Sequence, residues 1–311
     1  MSTSNDTVCV VMPVLNEQAY IREAVESLVA QEYEPLEITV YDGGSTDGTL
    51  DILKQYPLQV TVELGLGQMA AINRGWSRTS APFVTWMAGD DKLKPGAIAR
   101  LANELRDHPE AAVVHADAEA IDAHGRVMAQ LKPGNVQLPE LAFWFTLVPQ
   151  SSMIRRQALE RSGLMDEGRR FAADYDLFLR LAQYYRFHYV PFSAAQYRSH
   201  ADSEDSKNYE KVGEAVVDVV DAFFRRADLT EVQRGLWPRA RTGSRCFAGG
   251  TFCLAGKRVR AWNMLWQALQ GDPSLLWRTR LGRHFLLRLI SPVQIPPFRL
   301  KGRSLVFRGI E

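Results

Sequence analysis

The segment "WMAGDDKL", residues 86–93, sets two carboxylates, Asp90 and Asp91, directly after an apolar run. Two comparable endings precede it. "PVLNE" carries Asn16 and Glu17, and "YDGGSTDGT" carries Asp42 and Asp47, each after a β-branched stretch. Taken singly, any of these reads as a turn or a helix cap, because Asp, Asn and Gly suit both. Together they point to one place, since ligands of an open parallel sheet bind beyond the carboxyl ends of its strands. Carboxylates crowded there repel one another, and a divalent cation holds them together at neutral pH. Mn2+ or Mg2+ fits better than zinc, because nothing nearby offers paired His or Cys. Such a cation would in turn attract a diphosphate.

Positioning these groups requires a sheet with helices between its strands. Short β-branched runs at residues 8–12, 37–41, 59–63, 83–87 and 112–115 alternate with "QAYIREAVESLVAQ", "DGTLDILKQY", "QMAAINRGWSR" and "PGAIARLANELRDH", whose apolar positions recur at steps of three and four. This is the pattern of a mainly parallel α/β sheet flanked by helices. Beyond residue 132 the order is less regular. A hairpin is expected around "DAHGRV", a short helix near "LPELAFWF", a helix over "DYDLFLRLAQYY" and a strand over "FHYVPF". From about residue 205 only helical periodicity remains, as in "EAVVDVVDAFFRR" and "VRAWNMLWQALQ". The expected organisation is an α/β domain over residues 1–205 and a helical C-terminal region over residues 206–311.

The 311 residues carry a formal net charge of +1, which predicts no nucleic-acid affinity. Charge is nonetheless polarised: residues 275–311 hold eight basic residues against one acid, Glu311. Within them "SLLWRTRLGRHFLLRLI" interleaves Trp and Leu with Arg, as a helix lying on an anionic membrane surface does; a helix packed with an arginine-rich outer face has the same pattern. Cys9, Cys246 and Cys253 are too few and too scattered for a disulfide framework, which fits a reducing, cytoplasmic setting. No window approaches the ~20 apolar residues of a spanning helix. A cytoplasmic protein, peripheral on the inner face of the membrane, is the expectation.

"VCVVMPVLNE", "YDGGSTDGT", "GLGQMAAINRGW" and "WMAGDDKLKPGAI", in this order and at these distances, resemble the nucleotide-sugar-binding half of family 2 glycosyltransferases. The likeness extends through "FAADYDLFLRLA" and "YRSH", over about residues 7–200. It implies the GT-A fold and a metal-assisted, inverting transfer of a sugar from a nucleotide-diphosphate sugar, with a UDP-sugar favoured, to a glycan or lipid-linked acceptor in surface polysaccharide or glycolipid assembly. It further implies that Pro13, Asn16 and Glu17 line the nucleotide pocket, Glu17 near the ribose, and that Asp42 lies beside the base. Asp90 and Asp91 would hold cation and diphosphate. Arg198 and His200 would approach them, His200 toward the metal.

The catalytic base of such enzymes comes from an acidic pair at the start of a helix, which here reads "FAADYDLFLRL" and leaves Asp174 as the base. Asp176, two residues on, points differently on a helix. Asp174 in a first helical turn is also a good cap. Three positions depart from the family pattern: Ala88, Gly43 and Ala173 stand where acids are customary. They motivate an alternative, a sugar-nucleotide or glycan-binding module without turnover. Another enzyme class enters through "GLGQMA", which fits the dinucleotide fingerprint of NAD-dependent dehydrogenases at Gly65, Gly67 and Ala70, although it follows the third strand rather than the first.

Overall fold

The computed structural model describes residues 6–201, 203–274 and 276, together with the backbone of residues 305–306. The first half runs β1 (Val8–Val14), α1 (Ile21–Val29), β2 (Leu36–Asp42), α2 (Thr49–Leu53), β3 (Gln59–Val62), α3 (Gln68–Arg78) and β4 (Phe83–Trp86). These strands pair in parallel in the order β3-β2-β1-β4. β1 is buried along its whole length, as a continuous Val-rich run must be when both faces of a parallel sheet are covered. α1 supplies part of that cover with Ile21, Ala24, Val25 and Leu28, spaced on one helical face.

The second half contains β5 (Lys92–Leu93), α4 (Ala97–Asp107), β6 (Ala111–Ile121), β7 (Val127–Lys132), α5 (Leu138–Phe143), a 3-10 turn (Pro149–Ser151), β8 (Ser152–Arg155), α6 (Arg156–Ser162), α7 (Ala173–Tyr184) and β9 (Arg186–Arg198). β8 inserts antiparallel between β4 and β6, β7 pairs antiparallel with β6 across the expected hairpin, and β9 runs parallel to β6. The last two long strands extend well past the runs expected from sequence. β6 continues through "ADAEAI" and β9 through "SAAQYR", where alanines blur the alternation.

α8 (Glu204–Lys207), α9 (Tyr209–Phe224), α10 (Glu231–Arg234), α11 (Trp237–Leu254) and α12 (Arg258–Leu269) follow, and β10 (Leu305–Val306) lies beside β7 at the sheet's far edge. Val216, Val219, Val220 and Phe223 of α9 and Ala240 of α11 join the same apolar cluster as Trp76, Trp86 and Phe178. Gly243 of α11 rests directly on the Phe143 carbonyl, so closely that a Cβ would collide with it. The arginine-rich stretch from Trp277 to Leu289 lies outside the described residues. Among the described residues no helix is long and apolar enough to cross a membrane.

Candidate active site

The chain leaves β1 toward β2 and β3 on one side and returns to β4 on the other. Strand order therefore reverses between β1 and β4, and a crevice opens beyond their carboxyl ends at that switch point. Asn16 and Glu17 follow β1, Asp42 ends β2, and Asp90 follows β4, so the topology brings these expected site residues to one edge. The "GLGQMA" segment instead follows β3, the outermost strand on that side. It lies away from the switch point, which removes the basis for the dehydrogenase reading.

Local side chains set the shape of the donor edge. Pro13 is buried in β1, opposite Tyr41. Asn16 adopts a left-handed conformation (φ 56°), its N–H donating to Ser45 Oγ (2.8 Å) while its Oδ1 accepts from the Thr46 N–H (2.8 Å). The Glu17 N–H donates to Thr49 Oγ1 (2.8 Å), and the Gln18 N–H donates to Asp47 Oδ2 (3.1 Å). Asp47 thus fastens the first loop to the second, and its other oxygen accepts from the Thr49 N–H (2.9 Å).

Asp42 is fully buried, and its Oδ1 accepts from the N–H groups of Gly44 (2.8 Å) and Ser45 (2.7 Å). Its Oδ2 is buried without a partner, an acceptor that ordinarily calls for one. At Gly43 a Cβ would stand 2.9 Å from the Leu66 carbonyl. The β3–α3 loop is packed against this position, and an acid there would have to displace it.

Glu17 is half-buried, and burial followed by the charges of Asp90 and Asp47 pushes its carboxyl up to about 8. Gly89 permits this closeness, since a Cβ there would lie 2.9 Å from Glu17 Cγ. Asp90 faces His200, with Oδ2 3.2 Å from Nε2, and the His200 ring packs on Tyr20 at 4.8 Å between centroids. An oxygen and an imidazole nitrogen are thereby presented side by side, next to a crowded carboxyl.

Two expected roles are corrected. Asp91, expected to share the cation, is 1% exposed and turned inward, accepting from the Arg198 N–H (2.8 Å) and from Gln150 Nε2 (2.5 Å). Burial, then the charge of Asp90, raises its carboxyl well above the ordinary range. Both carboxylate oxygens are engaged within the protein, which leaves Asp90 alone of the pair beside His200. Arg198, expected to bind the donor, is fully buried. Its Nε donates to the Asp90 carbonyl (2.8 Å), Nη1 to the carbonyls of Asp122 and Ala123 (3.3 Å each), and Nη2 to Glu23 Oε2 (3.1 Å). The guanidinium is consumed in holding the β4–β5 loop, α1 and the β6–β7 turn together.

Asp174 occupies the first turn of α7, entered through Ala172 in the left-handed region (φ 56°), a strained geometry for a residue with a Cβ. Burial, and more weakly Asp205, raises the Asp174 carboxyl to about 6. Asp176 is instead engaged by Arg180 at 2.9 Å. Ala173 is 1% exposed, so the customary acid at that position would be buried here. Tyr197 of β9 was not anticipated. Burial, then the negative fields of Asp205, Asp91, Asp90 and Asp174, raises its phenol well above the ordinary value. Its phenol therefore feels carboxylates both of the Asp90 loop and of the first turn of α7. A tyrosine in a strand carries no sequence signal for such a place.

A parallel-sheet crevice with an acidic edge, in a sheet continued by antiparallel strands and packed with C-terminal helices, is the architecture of a GT-A fold. Residues 9–163 match the model for Glycosyl transferase family 2, and the chain belongs to that family. It is similar to an uncharacterized glycosyltransferase of Rickettsia typhi, 28% identical over 204 residues covering 61% of this chain and 64% of the relative. It is also similar to the O-antigen biosynthesis protein RfbC of Myxococcus xanthus, 29% identical over 174 residues, 53% of this chain and 14% of that one. The chain spans 35%, 64% and 62% of the length of three curated relatives, all from Rickettsia species. Among solved structures, S. aureus TarS 1-349 in complex with UDP-GlcNAc aligns with TM-score 0.68 at 18% identity, covering 91% of this chain and 87% of that one. Mannosyltransferase PcManGT from Pyrobaculum calidifontis, in complex with GDP-Man and Mn2+, aligns with TM-score 0.61 at 16% identity, covering 92% and 86%.

Proposed function

We propose that this protein transfers a sugar from a nucleoside-diphosphate sugar to an acceptor hydroxyl in one displacement that inverts the anomeric configuration. The carrying observation is that Asp90, 3.2 Å from His200, follows β4 at the switch point of a family 2 glycosyltransferase sheet, where Asn16, Glu17 and Asp42 also stand at strand ends. Asp174 removes the acceptor proton, for which a carboxyl raised to about 6 is suited. Pro13, Asn16 and Glu17 line the nucleotide pocket, and the unpartnered Oδ2 of Asp42 awaits an N–H of the base. The donor edge suits a divalent cation such as Mn2+ or Mg2+: Asp90 and His200 would hold it, with the Glu17 carboxyl close enough to feel the charges of Asp90 and Asp47. When bound, that cation supplies positive charge opposite the departing diphosphate. Arg198 acts by positioning Asp90.

A UDP-sugar is the favoured donor, on the likeness to TarS holding UDP-GlcNAc. The proposed acceptor is a glycan or lipid-linked glycan in surface polysaccharide assembly, a reading supported by the likeness to the O-antigen biosynthesis protein. Calorimetry with UDP, GDP and dTDP, with and without Mn2+, tests the donor site in wild type and in Asp90→Ala with His200→Ala. Metal-dependent binding of one nucleotide, lost in the double variant, is expected. Absence of binding under every condition overturns the transferase reading.

A further inference from the structure

A second group of metal-ligating side chains lies at the other end of β9. Glu104 and His108 stand four residues apart at the C-terminal end of α4, and His188 is the third residue of β9. One ligand atom from each falls within 4.8 Å of the others. His188 Nε2 is 3.3 Å and His108 Nε2 is 3.8 Å from Glu104 Oε2, and the two rings stack with centroids 3.7 Å apart. Ligand atoms about 2.0–2.1 Å from a tetrahedral ion are separated by roughly 3.4 Å, close to these spacings. Glu110 Oε1 lies 3.1 Å from His108 Nδ1. A carboxylate beside Nδ1 is the kind of partner that orients an imidazole for a metal at Nε2. His188 and Glu110 also line a cavity of about 670 Å3, which gives an ion a path inward. All three ligand residues are half-buried.

We propose that Glu104, His108 and His188 form a binding site for a borderline divalent cation, zinc foremost, separate from the donor edge. Two imidazoles and one carboxylate favour zinc over Mg2+ or Mn2+, whose preferred ligands are all oxygen. Ten residues of β9 separate His188 from Arg198, roughly 30 Å of strand at about 3.3 Å per residue. A bound ion would tie the end of α4 to the start of β9.

The test is zinc titration of chelator-stripped, full-length protein, followed by calorimetry and by thermal melting. One equivalent is expected to bind and to raise the melting temperature. Glu110→Gln should weaken zinc affinity about 10–100-fold, as loss of a supporting carboxylate does. His188→Ala should weaken it further, while Asp90→Ala with His200→Ala leaves it intact. The visible spectrum of Co2+ added to wild type gives a reading independent of any variant's folding, with tetrahedral nitrogen and oxygen ligation expected. Failure of wild type to take up zinc overturns the proposal. So does zinc binding that survives His188→Ala and disappears in the donor-edge double variant.

Discussion

The loops after β1 and β2 are joined by five hydrogen bonds between side chain and main chain, all between residues 16–18 and 45–49. The approach to Asp174 is held from farther off: Asn73 of α3 pairs with both main-chain groups of Met165, and Arg180 donates to the carbonyls of Ser162 and Leu164. Asp174 itself is delivered by a strained Ala172, by α7 packed into the shared core and by a long β9 whose neighbours come from distant segments. One side of the crevice is thus organised by polar contacts between two loops about 30 residues apart, the other by apolar packing together with ties from α3 and α7. Loops joined through their own polar side chains leave two short motifs in the sequence, whereas a side set mainly by packing leaves little beyond a single acid.

Breaking this contrast begins at Asp174. Asp174→Asn should lower kcat about 10²–10⁴-fold while donor affinity is kept, because the amide cannot accept the acceptor proton. Equal loss of binding and turnover, measured by calorimetry beside a transfer assay, would remove Asp174 from the base role. Arg198→Ala should destabilise the fold by about 3 kcal/mol, the lower end for removing one partner of a buried ion pair, because Glu23 is half exposed. Urea unfolding reads this, and a cost near zero would show that the guanidinium does not join the two sides. Gly89→Ala should cost about 1–2 kcal/mol through crowding of Glu17 and should weaken nucleotide binding more than it slows turnover.

The smallest effect is in pH. A base works ionised, and the Asp174 carboxyl is raised to about 6, so kcat/KM should fall about tenfold per unit below that pH and level off above it. A profile flat through pH 5 would contradict the raised carboxyl. These four measurements sharpen the comparison because Gly89 probes only the donor edge, Asp174 only the opposite side, and Arg198 the junction.

Asp90 was legible in the sequence because a carboxylate just after a β-branched run falls at a strand's carboxyl end wherever the sheet is parallel. Asp91 was misread because two adjacent acids look alike in composition, while the partners that turn one of them inward, the Arg198 N–H and Gln150, come from distant segments. Arg198 looked like a phosphate ligand since its four acceptors, from residues 23, 90, 122 and 123, converge only after folding. The same distance hid Tyr197 and the pairing of His108 with His188. The alternating strands and helices up to β4 were visible as periodicity. β8 was not, since four residues between a 3-10 turn and a helix give no period to read.

The contact of Gly243 with the Phe143 carbonyl, and the share of α9 in the central cluster, bear on how such a chain can be recombined. A junction for gene fusion placed near residue 205 would cut through one hydrophobic core and leave Phe178 and its neighbours bare. The sheet and the helices through α11 therefore have to be moved as one piece.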